Sequence, residues 1–321
     1  MSVPPLALYI GRRVLTVLVL LLFISFVVFS LLYLAPGSAV DILLGNQPRT
    51  PETVAALEAK YHLDQPFLTQ YWIWLEGALR FDFGESIQST LPVADEIISR
   101  FPVTIFLALF AFVLEMTFGI TIGVITALRQ QSALDRGLVT MTVVGVSTPA
   151  FVSGIFVLFI FSITLGWFPA FGAGEPEFFD RLWHLALPAL SLAIVGSAFI
   201  VKHTRAAVIA VVDQDFVAFA RARGLTRSEV LFRYILRNAM IPILGVTAMT
   251  LVYLLIGAVF VEVTYSVSGL GQLIVQAANA QDMPMIQGTA LVIATIVMGF
   301  TLLADLAYMA ADPRIRKQVL A

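Results

Sequence analysis

Residues 213–242 read DQDFVAFARARGLTRSEVLFRYILRNAMIP, a polar stretch carrying five arginines between two long apolar runs. A strongly apolar chain does not usually interrupt itself with well-capped amphipathic helices on its positive side unless something docks there. The local signals are specific. Thr226 with Glu229 three positions on is a capping box that opens a second helix, and Gly224 just before it is a helix stop. Val230, Leu231, Tyr234 and Ile235 recur at helical spacing among Arg227, Arg233 and Arg237. Pro242 falls near the opening of the next span, where proline is tolerated. The plainer alternative is a basic loop whose arginines meet lipid headgroups.

Working outward, the 321 residues are 59% hydrophobic and only 12% charged, with a mean hydropathy of +0.93. Soluble domains are roughly a quarter charged, so the composition describes an all-α polytopic membrane protein. The absence of cysteine excludes disulfides, thiolate metal sites and cysteine nucleophiles. Six spans are expected, near 14–34, 102–128, 138–165, 185–201, 239–261 and 285–311, each meeting or approaching the ~20 apolar residues that cross a bilayer. The first follows Arg12 and Arg13, and its apolar run exceeds the ~7–15 residues of a signal-peptide core, so it reads as a retained anchor. With the N-terminus in the cytoplasm, fourteen of the nineteen Lys and Arg fall inside and fourteen of the twenty-one acidic residues outside. Both termini are then cytoplasmic, and Trp72, Trp74, Trp167 and Trp183 lie on the outer side as an aromatic belt.

Between the spans, 35–101 is the one sizeable extramembrane region. Thr50 and Pro51 open a helix with Val54, Leu57 and Tyr61 on one face, and 68–79 reads as a second helix lying at the interface. This region is too small and too poor in apolar clusters to fold alone. Inside the second span, Glu115, Gly119 and Gly123 share a face, so another helix can approach closely and the carboxyl points into the bundle. Glu115 is either a translocation or proton-relay residue, or a buried group that locks two helices. Gly145, Ser147, Pro149, Ser153 and Gly154 interrupt the third span, implying a kink that either packs or lines a pathway. Asp305 reads as a structural pair near the inner end. Residues 262–284 read as a re-entrant or capping element at the outer mouth, with Gly269 and Gly271 bracketing a turn. No G-x-x-x-x-G-K-[ST] and no H-E-x-x-H occurs, so no catalytic residue, metal site or nucleotide cradle is expected in this chain.

Asp215–Pro242, with ARARGL at Ala220–Leu225 and LRNAMIP at Leu236–Pro242, resembles the coupling loop of bacterial ATP-binding-cassette importer permeases of the dipeptide, oligopeptide and nickel branch. GAVFVEVTYSVSGLGQLI (Gly257–Ile274), MPMIQG (Met283–Gly288) and DPRIR (Asp312–Arg316) also resemble that branch. So do GVSTPAFVSG (Gly145–Gly154), LGWFPAFG (Leu165–Gly172) and FDFGES (Phe81–Ser86). The likeness spans nearly the whole chain and favours the subunit type with a long first outer loop. Two positions depart from the pattern: Ala218 stands where the general coupling loop has Glu, and Ser268 where the family usually has Pro. The resemblance implies a type I importer permease of six transmembrane helices, multi-pass in the bacterial cytoplasmic membrane. Its parts are a tail and first span (1–34), an extracytoplasmic helical loop (35–101) and a core (102–321) with a coupling loop at 205–240. It implies ATPase-coupling roles for Asp215, Ala220, Gly224, Thr226, Arg227, Glu229, Arg233 and Arg237. Glu115, Ser147, Pro149, Ser153, Gly269 and Gly271 are the pathway or gating candidates. The implied partners are a homologous permease, two cytoplasmic ATP-binding subunits that hold ATP and Mg, an extracytoplasmic binding protein and membrane lipid, with no nucleic acid. The expected cargo is di- or oligopeptide. The alternatives are nickel or another small solute, and a proton-coupled secondary carrier using Glu115 and Asp305.

Overall fold

The computed structural model describes residues 5–34, 37–45 and 48–311, and every regular element among them is helical. The DPRIR segment and the last three basic residues lie outside the described residues. The outer region holds α2 (Ala39–Leu44), α3 (Pro51–Tyr61) and α4 (Phe67–Leu79) after α1 (Pro5–Leu34). Then follow α5 (Val93–Leu128), α6 (Ala133–Ser147), α7 (Ala150–Val157), α8 (Phe178–His184) and α9 (Ala186–Val212). The elbow and the C-terminal part comprise α10 (Asp215–Ala222), α11 (Arg227–Glu229), α12 (Arg237–Thr264), α13 (Leu270–Asn279) and α14 (Met283–Ala311). Among the described residues five helices are long and apolar enough to cross a membrane, or up to six when α6 and α7 count as one bent span.

That bent span corrects the expectation of a kink. The two segments, the second continued by a π-helical stretch Leu158–Thr164, meet at 111°. Proline lacks an N–H and pushes the preceding residue out of the helical region. Thr148 accordingly sits at φ −98°, ψ 122°, and α7 restarts with Pro149 as its N-cap.

The chain divides into two units. The first is built from Ile105–Val267 with 5–9 and 300–311. At its centre lies α9, packed against α6, α7 and α12 and the most buried of the long helices. Its apolar run reads short in the sequence because it faces protein, where Ser191, Ser197 and Thr204 are tolerated, and not lipid. The expected close approach on the glycine face of α5 is met by α9. A Cβ on Gly119 would fall 2.5 Å from Ile200 Cβ, and one on Gly123 would fall 2.6 Å from Thr204 Cβ. Tyr265 fastens the other side: its hydroxyl reaches the Gly154 carbonyl at 2.9 Å and Ser191 Oγ at 2.9 Å.

The second unit, Ile10–Thr104 with Ser268–Gly299, holds the outer helices. Thr50 caps α3 in a reciprocal box with Thr53, with Pro51 at the first turn, as the local sequence dictates. α4 packs on α1 through Phe29, Tyr71 and Leu75, and Ser25 Oγ meets Tyr71 OH at 2.8 Å. A second cluster joins Phe83, Val93, Ile97, Leu270, Leu273 and Met285. This is why α5 starts at Val93 and runs through Pro102, nine residues before the expected span: its first turns are amphipathic and bury Val93 and Ile97 here. On the surface, Lys60 Nζ donates to Glu85 Oε2 at 2.7 Å, and that carboxylate raises the ammonium above its ordinary pKa.

Candidate functional site

The elbow is built from local rules. α10 ends at Ala222, after which Gly224 takes φ +76°, a conformation glycine adopts without cost. The Leu225 N–H then donates to the Ala220 carbonyl (3.4 Å) and the Gly224 N–H to Arg221 (3.0 Å), the paired bonds of a Schellman stop. The next helix opens as predicted: Thr226 Oγ1 accepts from the Glu229 N–H, while Glu229 Oε2 accepts from Thr226 N (3.0 Å) and Oγ1 (2.8 Å). A seven-residue π-helical stretch, Val230–Leu236, carries the chain into α12, so the helix that holds Pro242 begins at the elbow itself.

Tertiary packing decides which face looks out. Val217, Ala220, Val230 and Ile235 are buried in one cluster with Val124, Ala127, Val208, Ala239 and Ile243. Part of the Val230–Ile235 ridge that reads as an outer docking surface is therefore turned inward. The exposed apolar groups are instead Phe216 (41%), Phe219 (70%) and Phe232 (65%), in the same stretch of chain as exposed Arg221, Arg223, Arg227, Arg233 and Arg237. Asp215 occupies the exposed first turn of α10, and Ala220 is core. Phe216 and Phe219 stand at i, i+3 in the sequence, a signal overshadowed by the arginines. Residues 205–212 continue α9, so the turn proper begins at Asp213.

One supporting pair has no sequence signal. Asp135, in the first turn of α6 and capped there by Ser132, accepts Arg205 Nε and an Arg205 terminal nitrogen, both at 2.9 Å. This fork joins the starts of α6 and the elbow end of α9 across seventy residues of chain.

The second feature is a cavity of about 570 Å³ between α5, α7, α9 and α12, beside the break at Pro149. Glu115 is fully buried at its edge, and neither carboxyl oxygen has a hydrogen-bond partner among the described residues. The neighbouring Thr250 hydroxyl already donates to the Thr247 carbonyl (2.9 Å). The carboxyl lies so close to α9 that a Cβ on Gly196 would stand 2.4 Å from its carbon. Of the other candidates, Ser153 is buried and its hydroxyl reaches the carbonyls of Ala150 (2.8 Å) and Ser191 (3.1 Å). Ser147 is exposed and bonds back to Val143 (2.9 Å). Gly269 and Gly271 belong to the second unit and do not bracket a turn. Gly269 is the extended N-cap of α13 and Gly271 lies in its first turn, while Ser266 takes the left-handed conformation at φ 49°. The Leu270 N–H there is satisfied by Thr104 Oγ1 at 2.8 Å.

Residues 119–317 match the family described as binding-protein-dependent transport system inner membrane component, and residues 6–108 match the N-terminal family of such components. A peptide transport system permease protein of Brucella abortus is 37% identical over 309 residues, covering 95% of this chain and 98% of that protein. The dipeptide transport system permease protein DppB of Alkalihalophilus pseudofirmus is 32% identical over 330 residues, covering 96% and 99%. The glutathione transport system permease protein GsiC of Shigella flexneri is 34% identical over 308 residues, covering 96% and 98%. An inward-facing crystal form of the MetNI methionine ABC transporter aligns with a TM-score of 0.54 at 14% identity, over 67% of this chain and 96% of that one, a likeness of fold alone.

Proposed function

The chain belongs to the family of binding-protein-dependent inner membrane permeases, and from that premise we propose that it forms half the pathway of an ATP-driven importer of di- and oligopeptides. The relatives named for peptide, dipeptide and glutathione transport support that cargo, since glutathione is itself a short peptide. A second, homologous permease completes the pathway. Two cytoplasmic ATPase subunits hold the ATP and Mg, and a binding protein delivers substrate to the outer face. The positive-inside distribution puts the elbow and both termini in the cytoplasm.

One observation carries the reading. The elbow buries its inner apolar face in its own unit and still exposes three phenylalanines in a stretch that also exposes five arginines. Aromatic anchors rimmed by Arg are the composition of a protein interface. An elbow braced by a Schellman stop, a capping box and the Asp135–Arg205 fork moves as a body when its partner moves. Nucleotide then shifts the permease between inward-open and outward-open states through its differential affinity for the two. No chemistry is required of this chain.

The test is assembly. Phe219→Asp combined with Phe232→Asp lowers recovery of the ATPase subunits with the tagged permease by about tenfold or more, because buried aromatic anchors contribute ~2 kcal/mol or more each. The second permease still co-purifies. Undiminished ATPase recovery refutes the interface. Uphill transport by this chain reconstituted alone refutes the whole assignment in favour of a secondary carrier.

A further inference from the structure

We propose that the cavity beside Pro149 is an ammonium-accepting subsite of the pathway, in which the Glu115 carboxylate receives the free N-terminal ammonium of a peptide in transit. The proposal rests on the peptide reading and adds a recognition element to it.

The argument begins with an unmet requirement. Among the described residues lining the cavity Glu115 is the one carboxylic acid, and neither of its oxygens has a hydrogen-bond partner. A carboxyl in apolar surroundings needs a proton or a cationic donor, since an isolated buried charge is very costly. The rest of the wall supplies what an ammonium needs besides a carboxylate. Phe151, Phe199, Tyr253 and Phe260 line it with aromatic rings, and Thr250 and Tyr253 are its hydroxyls. Aromatic faces and a carboxylate together bind ammonium through cation–π attraction and charge-assisted hydrogen bonds. A divalent transition metal calls for several imidazole, thiolate or carboxylate ligands, and this wall offers one carboxylate. The volume lies in the ~300–1,000 Å³ range of small-molecule sites.

Two details place the carboxyl there deliberately. Gly196 leaves the room it occupies, because any larger residue would put a carbon 2.4 Å from it. The cavity is also lined by Val146, Pro149 and Ala150, at the break between α6 and α7. Glu115 is covered in this conformation, so the ammonium engages it only when the helices around the break part. Brief engagement suits a pathway, whose sites must release what they bind. The N-terminal ammonium is shared by all unmodified peptides, so one carboxylate serves a mixed cargo without reading side chains.

The experiment uses the assembled permease–ATPase complex in proteoliposomes. A hydrophobic carbodiimide labels Glu115, read by mass spectrometry; Ala-Ala protects it several-fold and N-acetyl-Ala-Ala does not. With binding protein added, Glu115→Gln lowers Ala-Ala uptake by about tenfold, the scale of one hydrogen bond to a charged group, and Glu115→Asp recovers part of it. Equal protection by both peptides, or no labelling in any nucleotide state, overturns the subsite. So does Ala-Ala uptake by Glu115→Gln at the wild-type rate. If the wild-type complex carries another solute but no Ala-Ala, the peptide reading itself fails, whatever Glu115 does. The labelling arm uses the unaltered protein, so it stands even if the variants do not assemble.

Discussion

Replacing Gly224 tests the elbow most sharply, because this glycine is required for its backbone and not for its size. Nothing lies within 4 Å of a Cβ built there, so a β-carbon meets no neighbour. The cost comes from φ +76° alone. An alanine held in the left-handed region costs about 1–2 kcal/mol, offset by roughly 0.4–1 kcal/mol from a stiffer unfolded chain. Gly224→Ala is therefore expected to be nearly neutral in assembly. A β-branched valine belongs at the upper end of the ~1–3 kcal/mol range for strained residues. The stop it opposes consists of two backbone bonds, from Leu225 to Ala220 and from Gly224 to Arg221, contributing ~0.5–1.5 kcal/mol each. Strain and restraint are then of similar size, so the Gly224→Val elbow relaxes and re-aims α10 against α11. The inner cluster of Val217, Ala220, Val230 and Ile235 keeps the protein folded. The expected result is loss of coupling without loss of assembly: in proteoliposomes the variant hydrolyses ATP but imports several-fold less peptide per ATP. Gly224→Asn, which tolerates positive φ, restores the ratio. Wild-type coupling in Gly224→Val refutes the reasoning.

Charge reversal at Arg227 and Arg233 together is expected to weaken ATPase co-purification several-fold; recovery equal to wild type assigns these exposed arginines to lipid headgroups. Gly123→Val puts carbon where Thr204 Cβ is 2.6 Å and the Val201 carbonyl 3.0 Å away, so α5 and α9 must separate by about 1 Å. Overpacking of this kind costs ~1–3 kcal/mol, read as lower yield and earlier thermal aggregation, and normal behaviour would show that the two helices do not touch there. Asp135→Ala strips the carboxylate from a partly exposed Arg205 and is expected to lower thermal stability modestly, because solvent screens the pair. Asp135→Asn should cost less, and a thermal-inactivation series that ranks them in the opposite order removes the fork from the account.

Much of this protein is written in short-range sequence. Apolar run length and the segregation of Lys and Arg determine a polytopic helical membrane protein, because bilayer thickness and charge transfer act on each segment separately. Thr226 with Glu229, Gly224 and Thr50 with Pro51 determine helix starts and stops, since a cap is a bond to a residue two to five positions away. Gly119 and Gly123 announce a close helix neighbour, but only folding names it as α9.

Orientation and long-range partnership were decided by tertiary structure. Val230 and Phe232 are both apolar and two positions apart, yet one is core and the other is exposed, because the cluster around Val208 and Ile243 claims one face. Asp135 and Arg205 read as unrelated charges until α6 and α9 bring them within 2.9 Å. Pro149 permits a bend, but only the folded chain shows that it reaches 111°. Local rules act through bonds a few residues long, whereas these outcomes minimise exposed or unpaired groups over the whole packed bundle, and no window of sequence contains that sum.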